Sequence, residues 1–168
     1  MYFEMLCQMK KSLGQLDKWL GAATAHAKDR PYDPNLLLDF RLAPDQFPLV
    51  RQVRTACDTA KFMASRLSGK PAPVFPDTET TIDELHARIR AVIAFLDGFS
   101  ADDFKGAGAR VVALPHWEGK VLSGADYFQQ NAVPNFFFHL THAYAILRHG
   151  GVNLGKRDFI GELPLRDA

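Results

Sequence analysis

Cysteine is scarce: the 168 residues include two, Cys7 and Cys57. They lie far apart, each within an apolar helical pattern, which predicts two buried free thiols and not a disulfide. Two cysteines also cannot build a zinc site without histidine or carboxylate partners. Charge of one sign is missing as well, with Lys+Arg 20 against Asp+Glu 19 and a net charge of +1. No basic run or stripe stands out, so the electrostatic footprint that phosphate backbones require is absent and no nucleic-acid partner is expected. No apolar stretch approaches the roughly 20 residues needed to cross a bilayer, and no membrane association is expected. The N-terminal MYFEMLCQMKK carries Glu4 early and its lysines after the apolar residues, the reverse of the order in a secretory signal. A cytoplasmic protein is the resulting expectation. There is no G-x-S-x-G elbow, no P-loop and no dinucleotide fingerprint. The glycines of KGAGAR (105–110) follow a loop and open no helix, so they make no phosphate cradle.

What is present is an ordinary globular balance, 47% hydrophobic and 23% charged residues. That length and balance suit one hydrophobic core and one domain over residues 1–168. Leu6, Met9, Leu13, Leu16, Leu20 and Ala23 recur at spacings of three and four, the stripe of a first helix that fades near Lys28. Three prolines break the link that follows. Asp45 is the expected N-cap of a second helix, with Pro48 in its opening turn and Gly69 beyond its end. Its stripe is Leu49, Val53, Ala56, Cys57, Ala60, Met63, Ala64 and Leu67. Thr81 and Glu84 have capping-box spacing and open a third helix striped by Leu85, Ile89, Val92 and Leu96. RVVAL (110–114) and KVL (120–122), separated by PHWEG, predict a small β-hairpin. A fourth helix runs from near Ala125 to Gly150 and Gly151, and the aperiodic tail is expected to lie over the surface. Four amphipathic helices with little else predict an all-α four-helix bundle. Its core should include Leu13, Leu16, Val53, Ala60, Ile89, Val92, Phe136 and Leu140.

The chemistry concentrates in PNFFFHLTHAYAILRHGG (134–151). On a helical wheel His139 lies at the edge of the apolar face, with Asn135 one turn earlier and His142 further round beside Phe138. Such spacings let neighbouring side chains converge. A metal on a bundle draws three or four donors from facing helices, so two histidines on one helix are half of a site. The remainder would come from Gln52 or Asp58 on helix two, or from His86 or Glu84 on helix three. Asp58 lies opposite its helix's apolar stripe, where Arg54 and Lys61 offer a surface ion pair instead. Phe138, His142 and Ile146 form a second stripe that suggests a homodimer contact. His149 suits the dipole at its helix end, while His26 and His116 show no link to a common site.

The segments RLAPDQFPLVRQV (41–53), ACDTAKF (56–62), PNFFFHLTHAYAILRHGGV (134–152) and GKRDFIG (155–161) resemble, in order and over nearly the whole chain, a bacterial family of unknown function. That family lies within the DinB/YfiT-like metalloenzyme superfamily. The resemblance implies a DinB-like bundle with a long crossover between helices two and three. It also implies, for many members, a divalent metal on one helix-two histidine and two helix-four histidines spaced i, i+4. Some members are thiol-dependent transferases or isomerases. On this chain the second helix-four position is His139. The first is Asn135, and the helix-two position falls among Gln52, Thr55 and Asp58. Neutral amides are weak ligands for zinc, nickel or iron. Two readings follow. One is a dimeric bundle with a degenerate metal site and a polar small-ligand pocket around Gln52, Asn135 and His139. The other is an enzyme of thiol-transferase, isomerase or hydrolase type, whose zinc, nickel or iron is held by His139, His142 and Asp58.

Overall fold

Helix α1 (Tyr2–Ala27) buries the stripe from Leu6 to Ala23 together with Trp19. In the computed structural model, which describes residues 1–167, three further long helices pack around it. Helix α2 (Leu49–Ser68) starts at Pro48, whose carbonyl accepts from the N–H groups of Arg51 and Gln52. Asp45 is therefore not its N-cap. A residue before proline avoids helical backbone, so Phe47 cannot extend the helix back to Asp45. At the other end Gly69 takes φ +82°, the left-handed geometry that a glycine supplies at a helix stop.

Helix α3 (Ile82–Asp97) begins with the expected capping box: Glu84 N–H donates to Thr81 Oγ1, and Thr81 N–H donates to the Glu84 carboxylate. Strands β1 (Val111–Ala113) and β2 (Val121–Ser123) pair antiparallel, with Val112 opposite Leu122. The next helix, α4, joins three stretches of unbroken right-handed backbone: Gly124–Asp126, Tyr127–Ala132 in π geometry, and Val133–His149. Its first residue is held against the Gly106–Ala109 turn, where a Cβ on Gly124 would lie 1.9 Å from the Ala107 carbonyl oxygen. The π stretch was not legible as such, yet Pro134 explains it. Proline lacks the N–H that an α-helix needs there, and Val133 N–H reaches back five residues to Phe128 instead.

Cross-helix contacts give the directions. Lys10 meets Asp97 and Asp17 meets His86, so α1 and α3 are antiparallel. Gln52 meets His139 and Thr59 meets Asn135, so α2 and α4 are antiparallel. Asp58 meets Arg88, and Lys70 reaches the Gly98 carbonyl, so α2 and α3 run parallel. Residues 69–81 must then travel the length of the bundle, which is the long crossover expected between those helices. The tail carries a short helix, α5 (Lys156–Ile160), fastened to α1 where Trp19 Nε1 donates to the Asp158 carbonyl at 3.1 Å and stacks on Phe159.

All eight expected core residues are fully buried. Three expectations change. Cys57 is buried but Cys7 is exposed, both as free thiols. Ile146 belongs to the core, so the outer stripe of α4 shrinks to Phe138 and His142, whose rings lie 4.0 Å apart. Asp58 is not on an open surface either, because the crossover covers that side of α2. Beneath it Lys61 and Arg88, 2% and 4% exposed, pair with Asp58 at 2.7 and 3.0 Å. Among the described residues no helix is long and apolar enough to cross a membrane.

Candidate functional site

The polar residues of α2 and α4 meet in rungs across an otherwise apolar interface. The first rung joins Arg66 Nη1 to the Tyr127 hydroxyl at 2.9 Å. In the second, Asn135 Nδ2 donates to Thr59 Oγ1 at 2.8 Å, and the Thr59 hydroxyl donates to the Thr55 carbonyl. The third joins His139 Nδ1 to Gln52 Oε1 at 2.8 Å. On α2 these polar positions recur every seven residues, two helical turns, so they share one face. On α4 they fall at Tyr127, Asn131, Asn135 and His139, and the π stretch keeps the first two in line with the rest.

The third rung has a defined proton. Gln52 Nε2 donates to the Phe47 carbonyl at 2.9 Å, which leaves Oε1 as acceptor. His139 Nδ1 must then carry the hydrogen, with the lone pair on Nε2. Burial, helped by the charges of His142 and Arg51, lowers the His139 pKa to about 4. The ring lies parallel to Phe47, with centroids 6.4 Å apart. His139 is thus a neutral, partnered imidazole near pH 7.

Between the first two rungs lies a cleft of about 270 Å³. Thr55, Asp58, Arg66, Asn131 and Asn135 line it, with Leu114 to His116 of the hairpin at its edge. Asn135 is the one expected pocket residue on this cleft; Gln52 and His139 face each other one rung beyond. Arg66, Tyr127, Asn131 and His116 were not singled out as site residues from the sequence. Four-residue spacing of polar groups on α4 was the available signal, but only the folded hairpin brings His116 to the same place.

The donors for a metal do not converge. Asp58 is engaged by Lys61 and Arg88. His142 Nδ1 donates to the Phe138 carbonyl at 2.7 Å, within its own helix. His86 binds Asp17 across the α1–α3 contact. Among the described residues no three His, Cys, Asp or Glu side chains could hold a metal ion together. The positions facing His139 and Asn135 are Gln52 and Thr59, a neutral amide and a hydroxyl already hydrogen-bonded. These residues do not fit a three-ligand divalent centre.

Under the crossover a second polar group is balanced internally. Arg88 Nη1 bonds the Glu79 carboxylate at 2.8 Å and lies 3.0 Å from Asp77, and Arg54 Nε lies 2.7 Å from Glu79. Burial works to raise the Glu79 pKa, but the Arg88 hydrogen bond and the neighbouring cations hold it below the usual carboxylate range. Several of these contacts sit at ion-pair distance without hydrogen-bond angles, and Arg88 Nε has no partner among the described residues. Cys57 lies among these charges, and burial pushes its thiol up to about 12. It is no nucleophile near neutrality.

Residues 1–160 match the family model described as a domain of unknown function, DUF1993. A crystal structure of a DinB family member protein from Shewanella denitrificans is similar, with 44% sequence identity and a TM-score of 0.93. The similarity covers 97% of this chain and 93% of that one. Among curated proteins none matches.

Proposed function

The chain belongs to the DUF1993 family, and from its α2–α4 interface we propose that it binds a small polar molecule in the cleft beside Asn135. The observation that carries this reading is the cleft itself: hydroxyl, amide and guanidinium groups converge on about 270 Å³ between two rigid helices. Ligand sites are concave, with a few convergent polar groups, and this one is at the small end of their range. The DinB-like fold and the amide at Asn135, where a metal ligand is expected by resemblance, support a site that has lost its metal.

The rival reading is a divalent-metal enzyme of thiol-transferase, isomerase or hydrolase type centred on His139. Its donor set counts against it: His139 Nε2 keeps its lone pair, but Asp58 is held by Lys61 and Arg88, His142 bonds within its own helix, and among the described residues no further ligand converges on that nitrogen. Metal analysis of chain purified without a histidine tag separates the two. We expect no stoichiometric zinc, nickel or iron; one equivalent that disappears in His139→Ala would make the enzyme the better account. In parallel, a thermal-shift screen of small polar metabolites should find a stabilising compound whose effect is lost in Asn135→Leu. A hit that survives this substitution would place the site elsewhere.

A further inference from the structure

The charges around the cleft do not cancel. Asp58 faces it, but its carboxylate is covered by Lys61 at 2.7 Å and Arg88 at 3.0 Å. Arg66, two turns further along the same helix, has no such cover. Its contacts are the neutral Tyr127 hydroxyl at 2.9 Å and the faces of Phe62 and Tyr127, 4.6 and 5.6 Å away. Among the described residues no carboxylate reaches it. A half-buried guanidinium fixed between aromatic rings, with no counter-charge, is an anion site in waiting.

We propose that the cleft takes a small carboxylate, with Arg66 as its anion-binding group and Asn131 and Asn135 as hydrogen-bonding neighbours. This rests on the cleft being the ligand site and names the class of molecule it holds. Tyr127 adds a donor: its oxygen accepts from Arg66, so its own hydrogen is free to point at an anion beside the guanidinium. Burial raises the Tyr127 pKa against the opposing pull of Arg66, so the phenol keeps that hydrogen. Asn135 spends one Nδ2 hydrogen on Thr59, leaving the other and its carbonyl oxygen for the ligand. One guanidinium and otherwise neutral donors match a single negative charge. Phosphate carries about −1.5 to −2 near pH 7 and would leave surplus negative charge beside Asp58.

The test follows side-chain amide and guanidinium NMR signals of the full chain titrated with benzoate, its neutral shape-mate benzamide, and inorganic phosphate. Benzoate should bind saturably and shift the Asn131 and Asn135 side-chain signals. Arg66→Gln should weaken benzoate about tenfold or more while leaving benzamide unchanged, the loss of a charge-assisted pair. Arg66→Lys, which keeps the charge, should recover part of the affinity and guards against a folding defect. Benzoate binding that is equal in Arg66→Gln, or phosphate binding tighter than benzoate, overturns the carboxylate assignment. Benzamide binding without benzoate binding overturns it too, yet leaves the cleft as a ligand site. If wild-type chain binds neither aromatic probe and its cleft signals stay still, both readings fall.

Discussion

At the scale of one residue, His139 shows how a hydrogen bond settles a role that residue type leaves open. A histidine on a bundle helix can be a ligand, a base or a core residue. Here the Gln52 amide, oriented by the Phe47 carbonyl, selects the tautomer, and burial removes the charge. The unfolded chain would protonate this ring near 6.5, the folded chain near 4. Acid therefore favours unfolding: this contribution is complete above pH 6.5 and is lost as pH falls through 4, in total on the order of 3 kcal/mol. An NMR titration of the His139 ring should give a midpoint near 4, and a midpoint at or above 6.5 would contradict the buried, Gln52-bonded ring. Gln52→Leu strips partners from both His139 Nδ1 and the Phe47 carbonyl. It should cost about 1–3 kcal/mol in denaturant unfolding, the penalty for buried polar groups left unmatched. No loss would mean that water replaces the amide.

Among the elements, the crossover and α4 decide most. Residues 69–81 have no hydrophobic period, yet they are fastened by Arg88 through Asp77, Glu79 and the Pro76 carbonyl, while Arg54 holds the Glu79 carbonyl. The guanidinium of one helix thereby fixes the return path of the chain. Arg88→Ala would leave Asp58 and Glu79 underpaired beneath the crossover. Breaking a buried ion-pair network in this way typically costs 3–5 kcal/mol, and urea unfolding of the variant should show about that loss. A cost under about 1 kcal/mol would mean that the crossover is held by its other contacts, such as Phe75 packed on the core. In α4 the π stretch has a different effect. One proline donor lost at Pro134 shifts the register of the turn before it, and Tyr127 and Asn131 gain their places at the cleft.

For the whole molecule, burial separates the two cysteines. Cys57 is buried on α2 beside the charged group under the crossover, whereas Cys7 is exposed on α1. A thiol reagent should label one cysteine in the native chain at once and the second only in denaturant. Two fast thiols would show that α2 is not packed as described, and none would point to a disulfide or a covered Cys7. The exposed face of α4 carries the other whole-molecule expectation. Phe138, 53% exposed and packed at a tilt against His142, is an aromatic surface suited to a twofold contact. If the chain dimerises there, sedimentation should report twice the 18.8 kDa chain mass, falling to the single mass in Phe138→Asp. A wild-type monomer would remove the dimer from the reading.

Periodicity determined much by itself. Stripes at spacings of three and four placed four helices and the buried Leu13, Val53, Ile89 and Leu140, because an amphipathic helix can hide its apolar face in few ways. The Thr81–Glu84 capping box and the hairpin were equally legible, since both are local hydrogen-bonding problems solved within a few residues. Asp45 and Ile146 were misplaced, the first because Pro48 resets the backbone before it and the second because a wheel cannot tell which neighbour covers an edge. The site depended on tertiary structure throughout. Gln52 faces His139, and Asp58 faces Arg88, only because α2 lies antiparallel to α4 and parallel to α3. Distance and direction between helices are set by packing and by the crossover's path, and neither is written in the spacing of residues along one chain segment.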